Sequence, residues 1–177
     1  MSKTTWNLDP SHSEVTFKVK HMMITNVSGS FTDFSLSVSS DGDDFSKADV
    51  TFAAKAASVN TGSAQRDGHL QSPDFFDAAQ YPEITFKATS VEKIDSENYK
   101  LHGDLTIKDV TKNITLNAEH GGIGKDPYGN IKAGFTVTGK INRKDFGLTW
   151  NAALETGGVM VSEEVKIICE IQLVKAV

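Results

Sequence analysis

Cysteine is nearly absent. Cys169 stands alone, which excludes an internal disulfide and a cysteine-rich metal site. Long apolar runs are missing too. No stretch approaches the roughly 18 residues that a membrane span needs. The N-terminus, MSKTTWNLDPSHSEV, has no apolar segment of the signal-peptide kind. A soluble protein of the cytoplasm is expected, or of the periplasm if a leader has been removed. Dense lysine or arginine runs do not occur, and 18 basic residues face 23 acidic ones for a net charge of −5. That balance disfavours nucleic-acid binding. Tyrosine and tryptophan are scarce, at three and two, whereas phenylalanine occurs ten times. Phe offers bulk with no polar handle, which suits either a large core or an apolar cavity.

What is present is period two. At 177 residues the chain is read as one domain over 1–177, long enough to bury a substantial core. A short strand or turn from Trp6 leads into Asp9-Pro10-Ser11-His12-Ser13. Then Val15, Phe17, Val19 and His21 alternate with Thr16, Lys18 and Lys20. Further strands are predicted over Phe31 to Val38, Val50 to Ala54, Ile84 to Ala88, Tyr99 to Ile107, Ile114 to Ala118, Phe135 to Ile141 and Val165 to Leu173. Eight amphipathic strands joined mostly by short turns point to an all-β antiparallel meander. A barrel is favoured over a two-sheet sandwich, because closure removes long exposed edges. Such a barrel either fills with side chains or holds one small ligand.

One stretch breaks the pattern. From Ser58 to Phe86 the residues read as a helical lid, with Ser63 capping a short helix that carries Arg66, Asp67 and His69. A second helix is predicted from Ser72-Pro73-Asp74, a hydroxyl cap followed by Pro and an acid. Tyr81-Pro82 stops it, because the residue before Pro leaves the α region. A charged cluster beside the aromatic pair Phe75-Phe76 marks this lid as the place to look for function.

Several blocks then stand out. They are Trp6…Asp9-Pro10-Ser11-His12-Ser13…Phe17…His21, then Asn60…Arg66-Asp67…His69-Leu70…Asp74-Phe75-Phe76-Asp77…Tyr81-Pro82…Phe86. Gly103-Asp104-Leu105-Thr106-Ile107 and Arg143…Asp145-Phe146-Gly147-Leu148 complete the series, which resembles the YceI-like family. Asp109 departs from the pattern, standing where the family commonly has Gly. The resemblance implies an eight-stranded, lipocalin-like antiparallel barrel with a short helical lid. It also implies an elongated apolar tunnel for a polyisoprenoid, isoprenoid quinone or fatty acid or amide, and pairing into homodimers.

On this reading Phe17, Val19, Phe34, Leu36, Phe52, Phe75, Phe76, Phe86, Leu105, Phe135 and Val137 line the tunnel. A filled barrel is the alternative for the same side chains. His21, Arg66, Asp67, His69 and Arg143 are the candidates for the polar mouth, where guanidinium groups suit a phosphate or carboxylate. The alternative is an Arg–Asp network, with Asp67 and Asp145 as its carboxylates, that pins the lid and the late loop over Asn142 to Gly158 to the barrel. An enzyme acting on the lipid through His21, His69, Arg66 and Asp67 is the second functional reading. His12, His21 and His69 lack metal-site spacing, and Ser11, His12 and Ser13 lack a nucleophile-elbow pattern. No cofactor, metal or nucleic-acid partner is expected. Cys169 reads as a small apolar filler, and His102 and His120 as solvent-facing.

Overall fold

The structure is a computed structural model that describes residues 3–22, 24–150 and 161–176. It is an antiparallel β-barrel with one short helix. The strands are β1 (Thr4–Leu8), β2 (Glu14–His21), β3 (Thr25–Phe31), β4 (Phe34–Asp41), β5 (Asp44–Lys55), β6 (Val59–Asn60), β7 (Glu83–Lys93), β8 (Asn98–Ile107), β9 (Val110–Lys125), β10 (Ile131–Asn142) and β11 (Glu164–Lys175). Helix α1 covers Ala64–Gln71, and 3₁₀ turns cover Pro10–His12, Ala56–Ser58 and Arg143–Phe146.

Eight of these strands close the ring. The order runs β1-β4-β5-β7-β8-β9-β10-β11 and returns to β1, while β2, β3 and β6 extend the sheet from β11. The three extra strands are continuations rather than additions. Residues Trp6 to Leu8 pair with one end of β11 and Glu14 to Lys18 with the other, so β1 and β2 are one strand broken at Asp9–Ser13. Their neighbours β4 and β3 are divided in the same way. The expected eight-stranded barrel with a short helical lid is what the chain forms.

The break in the first strand explains its conspicuous motif. Asp9 accepts hydrogen bonds from the Ser11 amide (3.2 Å) and hydroxyl (2.7 Å), with His12 Nδ1 at 2.9 Å. Lys132 Nζ on β10 reaches the same carboxylate at 2.6 Å. Ser13 Oγ accepts from the Gln172 amide at 2.9 Å, replacing a ladder bond lost at the break. Lys132 above all, then Ser11 and His12, hold the Asp9 carboxyl well below the usual carboxylate range. Because the folded value lies below the unfolded one, this stabilisation is complete above about pH 5 and fades as pH falls below about 4. Asp9→Asn is therefore expected to cost about 1–2 kcal/mol near neutrality and progressively less in acid. Urea melts of both proteins across that range check it. A difference independent of pH would contradict the assignment.

Two apolar clusters occupy the two ends of the barrel. Trp6, Val38, Phe45, Tyr99, Ala118, Ala133, Ile171 and Leu173 form the floor, near the turns at 41–44, 94–97 and 126–130. Trp6 is the anchor there, 1% exposed, with its indole N–H donating to Ser40 Oγ at 2.8 Å. Ala56, Ile84, Phe86, Leu105, Ile107, Leu116, Phe146 and Leu148 form the second cluster, which adds Phe31 and Phe76 on the side of the lid.

Two expectations are corrected. The segment after Ser72 makes consecutive turns instead of a second helix. The Phe75 and Asp77 amides both donate to the Ser72 carbonyl, at 3.0 and 2.9 Å, and Asp77 adopts a φ of 49°. His120 is not solvent-facing. It stacks on Phe135 with centroids 4.5 Å apart and sits 5.5 Å from Phe45. A register shift between Gly134 and Phe135 in the β9–β10 ladder changes which face these residues present. The departure at Asp109 carries no left-handed strain, because the positive φ of that turn, 57°, falls on Lys108.

Candidate functional site

Inward-facing residues do not fill the barrel. They enclose a cavity of about 600 Å³, within the about 300–1,000 Å³ usual for small-molecule sites. Every second residue of β11 lines it, Val165, Ile167, Cys169, Ile171 and Leu173. Eight steps at about 3.3 Å each make the lined length about 26 Å. The cavity thus runs from the floor residues Phe45, Tyr99 and Leu173 up to Arg66 and His69 on α1.

Of the residues expected to line a tunnel, Phe17, Val19, Leu36, Phe52, Phe75, Phe76, Phe86, Leu105, Phe135 and Val137 all do so. Phe34 does not. It sits at the start of β4, with its ring 6.1 Å from Phe52. Of the expected mouth residues, His21, Arg66, His69 and Arg143 line the cavity, whereas Asp67 lies behind it.

Glycines keep large side chains against the wall. Phe17 faces Gly29 across the β2–β3 ladder, and a Cβ built on Gly29 would sit 2.8 Å from Phe17 Cε1. One on Gly103 would lie 2.5 Å from Phe86 Cζ, and one on Gly139 would overlap Leu116. Each missing Cβ gives a ring or isobutyl group room to lie flat instead of projecting into the bore. Gly29→Ala is expected to cost about 1–2 kcal/mol by this overlap, and adding Phe17→Leu to recover most of it. Denaturation midpoints of the single and double variants decide. An unperturbed single variant would mean that the seat has slack.

The mouth is braced before it can bind anything. Ser63 Oγ caps α1 by accepting from the Arg66 amide at 3.3 Å. Arg66 Nε donates to Thr61 Oγ1 and its Nη2 to the Thr61 carbonyl, both at 2.7 Å. Asp67 accepts from the Thr61 amide (2.8 Å) and hydroxyl (2.6 Å), so Arg66 and Asp67 together fasten α1 to Thr61. His69 Nε2 lies 2.9 Å from Asp74, and its ring packs edge-on against Phe75 and Trp150.

Arg143 is a latch. Only 2% exposed, it donates to four backbone carbonyls: Ser162 (2.8 Å), Leu148 (2.6 Å), Trp150 (2.9 Å) and Val161 (3.2 Å). Burial draws its guanidinium below its ordinary value, and Glu163 opposes that shift. The late loop expected over Asn142 to Gly158 is described as far as Trp150; the remainder lies outside the described residues. Asp145 is exposed.

The remaining reactive groups have quiet surroundings. Burial pushes the Cys169 thiol up to about 11, which makes it a poor nucleophile. His12 is held by Asp9 and Ser11, outside the cavity, while His21 is exposed at its rim. Among the described residues no group of three or more His, Cys, Asp or Glu could hold a metal ion, and no helix is long and apolar enough to cross a membrane.

Sequence reasoning missed Trp150 as a lining residue. It also missed the floor set of Val38, Phe45 and Tyr99, although Val38 and Tyr99 already fell on inward phases.

The sequence profile of the YceI-like domain matches residues 6–173, nearly the whole barrel. The chain belongs to the YceI-like family. A UPF0312 protein of Staphylococcus aureus strain N315 is 43% identical over 164 residues, covering 92% of this chain and 93% of that one. The crystal structure of a Campylobacter jejuni YceI protein superposes with a TM-score of 0.78 at 38% identity, covering 89% of this chain and 90% of that chain. A domain from Saccharophagus degradans, described as polyisoprenoid-binding and implicated in plant cell wall breakdown, shares the fold with a TM-score of 0.67. Its identity is 18%, over 97% of this chain and 98% of its own. The YceI-like barrel is thus common to proteins of very different sequence.

Proposed function

We propose that this protein binds one long-chain amphiphile, with the tail in the barrel and the head at the lid, and so sequesters or carries it. One observation carries the reading: a continuous apolar cavity spans the barrel, and its charged lining groups gather at the lid end. A polyisoprenoid, an isoprenoid quinone or a fatty acid or amide has that division of polarity. The polyisoprenoid-binding description of the Saccharophagus degradans domain supports the same choice of ligand. Affinity would come from burying the tail, near 0.8 kcal/mol per CH₂, less the cost of ordering it. His21 and Arg66 would meet the head, while Asp67, Arg143 and the Asp74-paired His69 hold the frame around it. The reading is one of binding without chemistry at the site. Pairing into homodimers belongs to the same proposal, and sedimentation velocity measures it.

The two tryptophans report on the proposal separately. Trp150 lines the cavity below the lid, whereas Trp6 is sealed in the floor. Titrating delipidated protein with a long-chain prenol is expected to change the fluorescence saturably at one ligand per chain. Trp150→Phe should remove most of that change without removing binding. If prenols, quinones, fatty acids and fatty amides all leave both emission and ligand uptake unchanged, the proposal fails.

A further inference from the structure

The titratable side chains of the lining residues are, apart from Tyr99 and Cys169, all basic. Lys20, His21, Arg66, His69 and Arg143 line it, and no aspartate or glutamate does so among the described residues. The chain carries 23 acids against 18 lysines and arginines, so composition does not produce this bias. Two of the five are already spent. Arg143 is saturated by backbone carbonyls, and His69 is paired with Asp74.

Lys20, His21 and Arg66 remain, and none of them has a carboxylate oxygen within 4.0 Å among the described residues. Arg66 is also held in place. Thr61 takes its Nε and one terminal nitrogen, which fixes the guanidinium plane and leaves Nη1 uncommitted among the described residues. Thr61 is itself fixed by Asp67, which spends its charge on that residue from outside the cavity wall. Ser63 and Gln65 add neutral hydrogen-bonding groups at the same end.

We infer that the head of the bound amphiphile is an anion, a carboxylate or a phosphate monoester, held at the rim by Arg66 with Lys20 and His21 beside it. A guanidinium already fixed by two hydrogen bonds binds an anion more strongly than a free one, because less side-chain freedom is lost on binding. The inference rests on the binding proposal and adds the charge of the ligand to it.

A set of ligands with one tail isolates the head. Oleate, oleyl phosphate, oleamide and oleyl alcohol share the same 18-carbon chain and differ only there. At low salt the two anions are expected to bind about tenfold or more tighter than the two neutral ligands. Lys20→Gln, which removes a side chain with no other bond among the described residues, should cut that preference severalfold. Arg66→Lys should keep more of it than Arg66→Gln. The ratio between oleate and oleyl phosphate tells which anion the site favours. Equal binding of all four, or tighter binding of the neutral pair, overturns the anionic head and leaves the lipid-binding proposal standing. Failure of all four to bind overturns both.

Discussion

Replacing Arg143 with methionine is expected to lower the melting temperature by roughly 6–12 °C and to loosen the wall around Trp150. The side chain donates to four carbonyls, on Leu148, Trp150, Val161 and Ser162. These belong to segments on both sides of the late loop, so one guanidinium ties two stretches of chain together. Methionine has similar reach and suits an apolar wall, but it leaves those carbonyls without a donor. An orphaned buried acceptor costs about 1–3 kcal/mol. Some of the four will find water, so a total near 3 kcal/mol is reasonable, and each kcal/mol moves a protein of this size by about 2–4 °C. Arg143→Lys should fall between, since three donors on a point charge cannot serve four separated acceptors. Hydrogen exchange should accelerate at Gly147 and Leu148, whose amides donate to the Lys144 and Arg143 carbonyls. A methionine variant that melts within about 2 °C of the parent would show that the latch is ornamental.

The second large effect concerns the bore itself. Phe17→Asp is expected to reduce retention of a long-chain ligand by a hundredfold or more while the barrel still folds. Phe17 lines the cavity but is only half-buried, so an aspartate there can draw water to itself without unfolding the sheet. That water, or the neutralisation of the carboxyl, must be displaced again when a tail enters, at a cost of about 3 kcal/mol or more. Val137→Trp tests the same claim by volume. Its added bulk enters existing space, so overpacking is limited. Folding is checked by circular dichroism and retention by extraction of the purified variants. If both variants fold and still hold ligand at the parent's level, the tail does not lie where the cavity is.

Much of this arrangement was legible in the residues, and the failures have physical reasons. Alternation placed Phe17, Leu36, Leu105, Phe135 and Val137 on the inner face, because a strand's two-residue period leaves no choice of side. Whether those side chains meet or stand apart depends on barrel girth and on glycines opposite them, which periodicity does not report. Phe34 followed the right phase, yet its position at the start of β4 takes it off the cavity wall. His120 was misjudged because a bulge between Gly134 and Phe135 shifts the register. Arg143 had the chemistry of an anion ligand, and nothing local signals that four carbonyls will converge on it. The turn chemistry at Ser72-Pro73-Asp74 imitates a helix start, since a cap and a proline serve turns equally well.

Native mass spectrometry of the purified protein, followed by organic extraction and identification of whatever is released, tests the central claim most directly. The account predicts one long-chain amphiphile per chain on the parent protein, absent from Phe17→Asp and Val137→Trp. A bare mass, in a protein that then takes up no prenol, quinone, fatty acid or fatty amide, would contradict it.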